Sequence, residues 1–265
     1  MHNHHYSNTV PEPVALDQRS LATNGTQEGP AEVKASSPIR TSLYEREGSM
    51  WGSLKRPSLR RTTFNEDCRS DDNDLCHEML TTFGFTPDQM HRAAERFHLG
   101  RSKSGKPIYW MIDDLGHCLD GRIGTSWFST MLKHRYPEAA PYLKVRHCLF
   151  GLHQINEQPK PIGIVESERS AVLLSELCPD LLWMAYSYGS NCTVDKFEPL
   201  QGRKITFYPR TDPNKEYYFS FLELADQIKR AYKTIDISVS SFLENNATDD
   251  QKQRNIDLLE FMLEK

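Results

Sequence analysis

The sequence has no hydrophobic run long enough to cross a membrane. A spanning helix needs roughly 18 to 20 predominantly apolar residues, and no window of the 265-residue chain approaches that composition. The opening stretch MHNHHYSNTVPEPV also lacks the apolar centre of a secretion signal. We therefore expect a protein without a membrane partner.

An excess of positive charge and paired cysteines are also missing. The formal net charge is −4, so no overall basic field indicates nucleic acid, although a local basic groove remains open. The six cysteines are scattered, without any C-x-x-C pair. Isolated cysteines in a chain of this length are typical of reduced thiols. The sequence thus predicts a cytoplasmic protein without a zinc site.

Regularly spaced apolar residues are missing from the first 73 residues. Ser, Thr, Asn, Pro, Glu and Arg dominate there, and apolar residues occur singly. This composition predicts a disordered tail over 1–73. The segment KRPSLRRTT at 55–63 groups four basic residues, which fits either a solvated linker or a contact with a partner. A protein partner bound through the tail is therefore one expectation.

Helix and hairpin signals follow the tail. A helix is predicted from Asp74 to the stop at Gly84, and a second begins at Thr86, with Pro87 at its first position and Gln89 completing a capping box. The segment KPIYWMIDDLGHCLDGRIG has the pattern of a β-hairpin, and HCLFGLHQI is apolar and strand-like. We predict a small α+β accessory region over 74–158.

Strands and helices alternate through the rest of the chain, which predicts a parallel sheet with crossover helices, an α/β domain over 159–265. Helices are expected from SERSAVLLSEL, from SFLELADQIKRAYK and, without interruption, from DDQKQRNIDLLEFMLEK. The predicted strands are KPIGIVES, DLLWMAYS, GRKITFYP and TIDISV.

Polar residues stand where the predicted parallel strands end, and these ends meet at one edge of such a sheet. Glu166 ends the first strand, Gly189 and Ser190 follow the second, and Arg210 and Asp212 follow the third. A carboxylate at this edge needs water, a cation or a donor. Two interpretations stay open: the carboxylates hold a hard cation, usually Mg²⁺, or they cap the positive ends of helices.

This arrangement resembles the toprim domain of bacterial primases, topoisomerases and some nucleases. The similarity extends over about residues 76–265 and is closest to toprim-like proteins of unknown function from bacterial mobile elements. The segments VESE and CLFG are its most specific parts. The resemblance implies a toprim-like parallel sheet, a general acid/base role for Glu166, and Mg²⁺ bound by a D-x-D turn.

Two features depart from the toprim pattern. Asp212 matches the second Asp of D-x-D and Gly189 the glycine turn, but Arg210 stands in the place of the first Asp. The cysteine-rich ribbon that begins zinc-binding primases is also missing, because Cys68 is the only cysteine among residues 1–75. An arginine beside a Mg²⁺ site is repulsive and should weaken binding about a hundredfold or more.

Our hypothesis is that Arg210 replaces the cation. It would pair with Glu166 or Asp212 in the free protein and grip a phosphate bidentately when a ligand is present. Gly189 and Ser190 are further candidate phosphate contacts. Arg169, one turn into the helix after Glu166, is another.

Three functions remain open at this stage. The first is a nucleic-acid-binding protein, with single-stranded DNA favoured, that assists replication or transfer of a mobile element. The second is an active Mg²⁺-dependent primase or nuclease-type enzyme, which would need a replacement carboxylate such as Glu168 or Asp195. The third is a catalytically inactive interaction module.

Overall fold

The structure of the protein, a computed structural model, describes residues 69–142, 147–187 and 192–264. Nearly all of the predicted tail over 1–73 lies outside these residues, as do the candidate phosphate contacts Gly189 and Ser190. No helix within the three described ranges is both long and apolar enough to span a membrane.

The first two helices begin where the sequence predicts, and the predicted cap at Thr86 precedes the second. Helix α1 (Asp74–Thr81) follows Asn73, whose side chain accepts a hydrogen bond from the amide of Cys76. Helix α2 (Pro87–Arg96) has the full capping box between Thr86 and Gln89. Both caps satisfy amides that the first turn of a helix leaves without partners. The capping box of α2 is a local pattern, so the start of α2 could be predicted from the sequence.

An antiparallel sheet follows, in the order β1-β2-β3-β4. The central pair is the predicted hairpin. On one face of β2, Ile108, Trp110 and Ile112 form a small core beneath Phe128. The strands are β1 (Gly100–Arg101), β2 (Pro107–Ile112), β3 (Cys118–Ile123) and β4 (Ser126–Trp127), followed by helix α3 (Phe128–Arg135) and a 3-10 helix (Pro137–Tyr142).

The second sheet is parallel throughout and confirms the predicted α/β class. Its order is β6-β5-β7-β8, so β5 lies inside the sheet between β6 and β7. Gly163 on β5 is required by packing, because a Cβ there would come within 2.8 Å of the Trp183 ring. The strands are β5 (Ile162–Val165), β6 (Leu182–Ala185), β7 (Lys204–Phe207) and β8 (Asp236–Val239).

Helices flank the parallel sheet, and α2 packs against α4 within one continuous apolar core. Two further 3-10 helices, Leu152–Asn156 and Val194–Leu200, precede β5 and β7 respectively. The helices are α4 (Glu168–Leu177), α5 (Glu216–Ala231), α6 (Phe242–Asn246), α7 (Asp249–Gln253) and α8 (Leu258–Leu263).

Two predicted elements differ from the structure. HCLFGLHQI is not a strand: Phe150 makes a single antiparallel bridge to Ala185, and Gly151, at φ 85°, then turns the chain into the 3-10 helix. The last helix is not continuous, because Asn255 adopts a left-handed φ of 54° and Asp257 caps a new helix. Both breaks occur at residues that tolerate or require a left-handed or capping conformation.

Candidate functional site

The candidate site is built on an ion pair at the carboxyl edge of the parallel sheet. Glu166 directly follows β5, and Arg210 lies three residues beyond the end of β7. Nε of Arg210 lies 2.5 Å from Oε2 of Glu166. Glu166 is 8% exposed, whereas the Arg210 side chain is a quarter exposed. The Arg210 guanidinium therefore binds one carboxylate oxygen of Glu166, an oxygen that a cation would need as a ligand.

The surroundings of Arg210 keep its guanidinium charged. Burial alone would lower the pKa of Arg210, but the charge of Glu166 and the hydrogen bond to it raise that pKa above its usual value. Tyr186 is also nearby, and burial followed by the charge of Glu166 raises the pKa of its hydroxyl. The ring of Tyr217 lies 5.5 Å from the Arg210 guanidinium carbon, a cation–π distance. The arginine is thus held between a carboxylate and an aromatic face.

Asp212 has a different role in the structure. It is 6% exposed, and its Oδ1 accepts a hydrogen bond from the amide of Asn214 at 2.8 Å. Its Oδ2 accepts from the amide of Tyr217, in the first turn of α5, at 3.0 Å. Asp212 therefore supports the turn and the start of α5, as the helix-capping interpretation expects for such a carboxylate.

Thr211, between Arg210 and Asp212, holds the turn after β7 in place through contacts with later parts of the chain. Its side chain is fully buried, and Oγ1 donates to Oε1 of Glu244 at 2.8 Å. Its amide donates to the carbonyl of Ile256 at 3.0 Å. The site turn is thus anchored to the segment that contains α6 to α8.

Glu168, considered above as a replacement metal ligand, is already paired. Its Oε1 accepts from Nη1 of Arg122 on β3 at 3.1 Å, and both side chains are 7% exposed. Arg122 also donates from Nε to the carbonyl of Gly124. This buried pair joins the start of α4 to the antiparallel sheet.

Arg169 lies against α1. Its guanidinium is 3.2 Å from Oε2 of Glu78 and 5.1 Å from the centre of the Phe83 ring. The structure thus brings Glu166 and Arg210 into direct contact, whereas these contacts of Arg169 are with α1 and the residues just after it. A phosphate role for Arg169 stays a prediction.

The donor set does not fit Mg²⁺. A hard cation needs several carboxylate or carbonyl oxygens around one point, but Glu166 faces a guanidinium and Asp212 accepts two backbone amides. Across 69–142, 147–187 and 192–264, no three acidic, His or Cys side chains lie close enough to share a metal. We therefore derive no chemical step through a metal ion.

Sequence reasoning did not find Glu244 and Arg122. Arg122 lies 46 residues from its partner Glu168, and Glu244 lies 33 residues from Thr211. Neither has a local pattern of the kind that identified the cap of α2. Their roles depend on which elements pack together in the fold. Such long-range packing leaves no regular residue spacing that could be recognised in a single sequence.

The fold and the site together define an α/β protein with a four-stranded parallel sheet and a Glu–Arg ion pair at its carboxyl edge. Residues 73–211, slightly more than half of the chain, match the model of a domain of unknown function, DUF6371. The chain therefore belongs to the DUF6371 family. No curated protein sequence matches it.

Several solved structures of primases are similar to the chain at low identity. The primase fragment of the bacteriophage T7 primase-helicase is 13% identical, over 63% of this chain and 68% of that one, with a TM-score of 0.36. The Aquifex aeolicus primase is 12% identical, over 73% and 59%, with a TM-score of 0.40. The Escherichia coli primase catalytic core is 15% identical, over 69% and 66%, with a TM-score of 0.34.

Proposed function

We propose that the protein binds the phosphate backbone of nucleic acid, single-stranded DNA in particular, through Arg210 and without a bound Mg²⁺. In this proposal it assists replication or transfer of a mobile element and does not itself polymerise or cut. The observation that carries the proposal is the contact between Arg210 and Glu166. It puts a permanent positive charge where the toprim pattern has an acidic metal ligand.

The ion pair gives the proposed site a definite chemistry. Guanidinium binds carboxylate and phosphate in the same planar, bidentate way, so a phosphodiester would compete with Glu166 for Arg210. Removing the charge of Glu166 should therefore strengthen phosphate binding, whereas removing Arg210 should weaken it. A Mg²⁺-dependent enzyme requires the opposite result for Glu166, because loss of a catalytic carboxylate would reduce its activity.

The test is the binding of a fluorescent oligothymidylate to the full chain, measured by anisotropy over a range of salt concentrations. We expect Arg210→Ala to weaken binding and to reduce the salt slope by about 0.7, the contribution of one phosphate contact to a single strand. Glu166→Gln should bind more tightly than the wild type. Arg230→Ala, which removes an exposed arginine paired with Asp226, is the matched control and should change little.

Unchanged binding by Arg210→Ala would contradict the proposal and favour an interaction module. The enzyme alternative needs separate experiments. Calorimetric titration should detect no tight Mg²⁺ binding; tight binding that is lost in Asp212→Asn would refute the replacement of the cation. Primer synthesis or nuclease activity with Mg²⁺ or Mn²⁺ that disappears in Glu166→Gln would establish an enzyme instead.

A further inference from the structure

A completely buried carboxylate lies in the antiparallel sheet. Asp120 on β3 is 0% exposed. Its Oδ1 accepts hydrogen bonds from the amides of Gly121 and Ser129, at 2.8 and 3.0 Å. Its Oδ2 contacts the Ser129 hydroxyl at 2.6 Å and Nε2 of His147 at 2.8 Å. Burial would raise the pKa of Asp120, but these bonds, that of His147 first, hold it below its usual range.

His147 is held in one orientation by two contacts. Its Nε2 is bonded to Asp120, and its ring stacks on Trp127 with 3.8 Å between ring centres and 14° between planes. The Asp120 carboxylate can only accept, so Nε2 of His147 carries the proton of this bond, and donation from Nδ1 as well requires a proton on both ring nitrogens. The His147 side chain is 23% exposed. Nδ1 is therefore the ring nitrogen through which His147 can contact a ligand.

A chain of contacts connects His147 to the candidate site. The Arg122 guanidinium carbon lies 5.4 Å from the centre of the Trp127 ring, and Arg122 pairs with Glu168 at the start of α4. Glu168 is two residues beyond Glu166. Two charged side chains thus lie near His147 in the part of the chain that the structure describes. Asp120 is bonded to the His147 ring, and Arg122 lies on Trp127, the residue on which that ring stacks. The charge of Arg122 is balanced by Glu168. His147 would supply a second positive group, connected to the end of β5, where Glu166 contacts Arg210.

We propose that His147 is a second phosphate-contacting residue, with its imidazolium donating from Nδ1 to a phosphodiester oxygen of a single-stranded nucleic acid. This inference rests on the proposed function and deepens it, because it makes binding depend on pH. The contact is present while His147 is protonated and is lost when the ring becomes neutral. If His147 only balanced the charge of Asp120, replacing His147 would leave the binding of every ligand unchanged.

The experiment measures oligothymidylate binding at pH 6 and pH 8 for the full chain and for the variants His147→Gln, His91→Gln and Arg210→Ala. His147→Gln removes the charge but keeps an amide that can donate to Asp120. His91→Gln is the matched control, because His91 also contacts an aspartate, Asp71, but both side chains are about half exposed. At pH 6 we expect His147→Gln to bind roughly five-fold more weakly than the wild type, the value of one hydrogen bond. Its affinity should also vary less with pH.

The outcomes separate this inference from the proposed function. If His147→Gln matches His91→Gln in affinity and pH dependence while Arg210→Ala weakens binding, the His147 contact is refuted and the proposed function stands. If the wild type binds no oligonucleotide, the proposed function fails. The inference is then decided by proton NMR of the histidine rings during titration with inorganic phosphate. A saturable shift of the resonance that is missing in His147→Gln supports the contact, and an unchanged resonance overturns it.

Discussion

At the scale of single residues, Glu168 and Arg122 show why buried charges must be paired. Both side chains are 7% exposed and lie 3.1 Å apart. Glu168→Gln would leave the Arg122 guanidinium buried with a neutral partner. Removing one member of a buried pair typically costs about 3–5 kcal/mol of unfolding free energy. We expect a loss of this size, measured by urea denaturation.

The matched control is Asp226→Asn, which breaks the exposed pair with Arg230. Exposed ion pairs contribute between about 0 and 1 kcal/mol, so this variant should unfold close to the wild type. The double variant Arg122→Met with Glu168→Leu should recover part of the lost stability, because it leaves no buried charge. A loss in Glu168→Gln no larger than that in Asp226→Asn would show that the pair is not buried in solution.

At the scale of elements, α8 is attached to the rest of the fold by its own cap. Asp257 accepts from the amide of Glu260 at 2.9 Å, and the Glu260 side chain accepts from the amide of Asp257 at the same distance. The other oxygen of Asp257 accepts from the buried hydroxyl of Ser170 on α4 at 2.5 Å. One carboxylate therefore begins one helix and ties it to another.

We expect Asp257→Ala to cost more than an ordinary cap. Loss of a cap alone costs about 1 kcal/mol, and the unpaired Ser170 hydroxyl adds roughly 1–3 kcal/mol. Thr248→Ala is the natural comparison, because Thr248 caps α7 with the same kind of capping box but is exposed and lies outside the core. Equal losses of unfolding free energy in the two variants would mean that the bond to Ser170 contributes nothing.

The same elements show how far the sequence predicted the structure. Local signals were sufficient for α1, α2, the hairpin and the four parallel strands, since caps and apolar runs act over a few residues. The continuous last helix was wrong because its apolar spacing persists across Asn255 and hides the cap at Asp257. At the site, the adjacent strand ends led us to expect Arg210 to pair with Glu166 or Asp212, and the contact in the structure is with Glu166. The partners of Arg169 and Glu168 were not, because they come from α1 and β3.

At the scale of the whole molecule, two histidines make the fold sensitive to acid. His98 follows α2, and its ring lies 5.0 Å from that of His153 in the 3-10 helix before β5. Burial lowers the pKa of His98 to about 3, and the charges of His153 and Arg69 add to this. Burial also lowers the pKa of His153, against the opposing effect of its bond to the Arg96 carbonyl. Both rings are therefore neutral in the folded protein.

Stability should fall as the pH drops below about 6.5, the value of an unperturbed histidine. Below that pH the unfolded chain binds protons that the folded protein does not. Each such histidine therefore lowers the free energy of unfolding by about 1.4 kcal/mol per pH unit. His98→Asn keeps a residue suited to the left-handed backbone at φ 49° and should reduce this slope between pH 6.5 and 5. Urea unfolding at several pH values measures it.

His77→Asn is the control for this measurement, because His77 is two-thirds exposed and should leave the slope unchanged. The window stays above pH 5 so that titration of carboxylates contributes little. An unchanged slope in His98→Asn would mean that His98 binds a proton in the folded protein as readily as in the unfolded chain.

The anchoring of Thr211 bears on how far a function can be transferred within the family. The family match ends at residue 211, yet Thr211 is held by Glu244 and Ile256, which lie beyond it. A relative could therefore share the whole matched segment, including an arginine aligned with Arg210, and still aim that side chain differently. Whether a relative shares the proposed phosphate contact therefore has to be judged on the anchors after residue 211 as well as on the arginine.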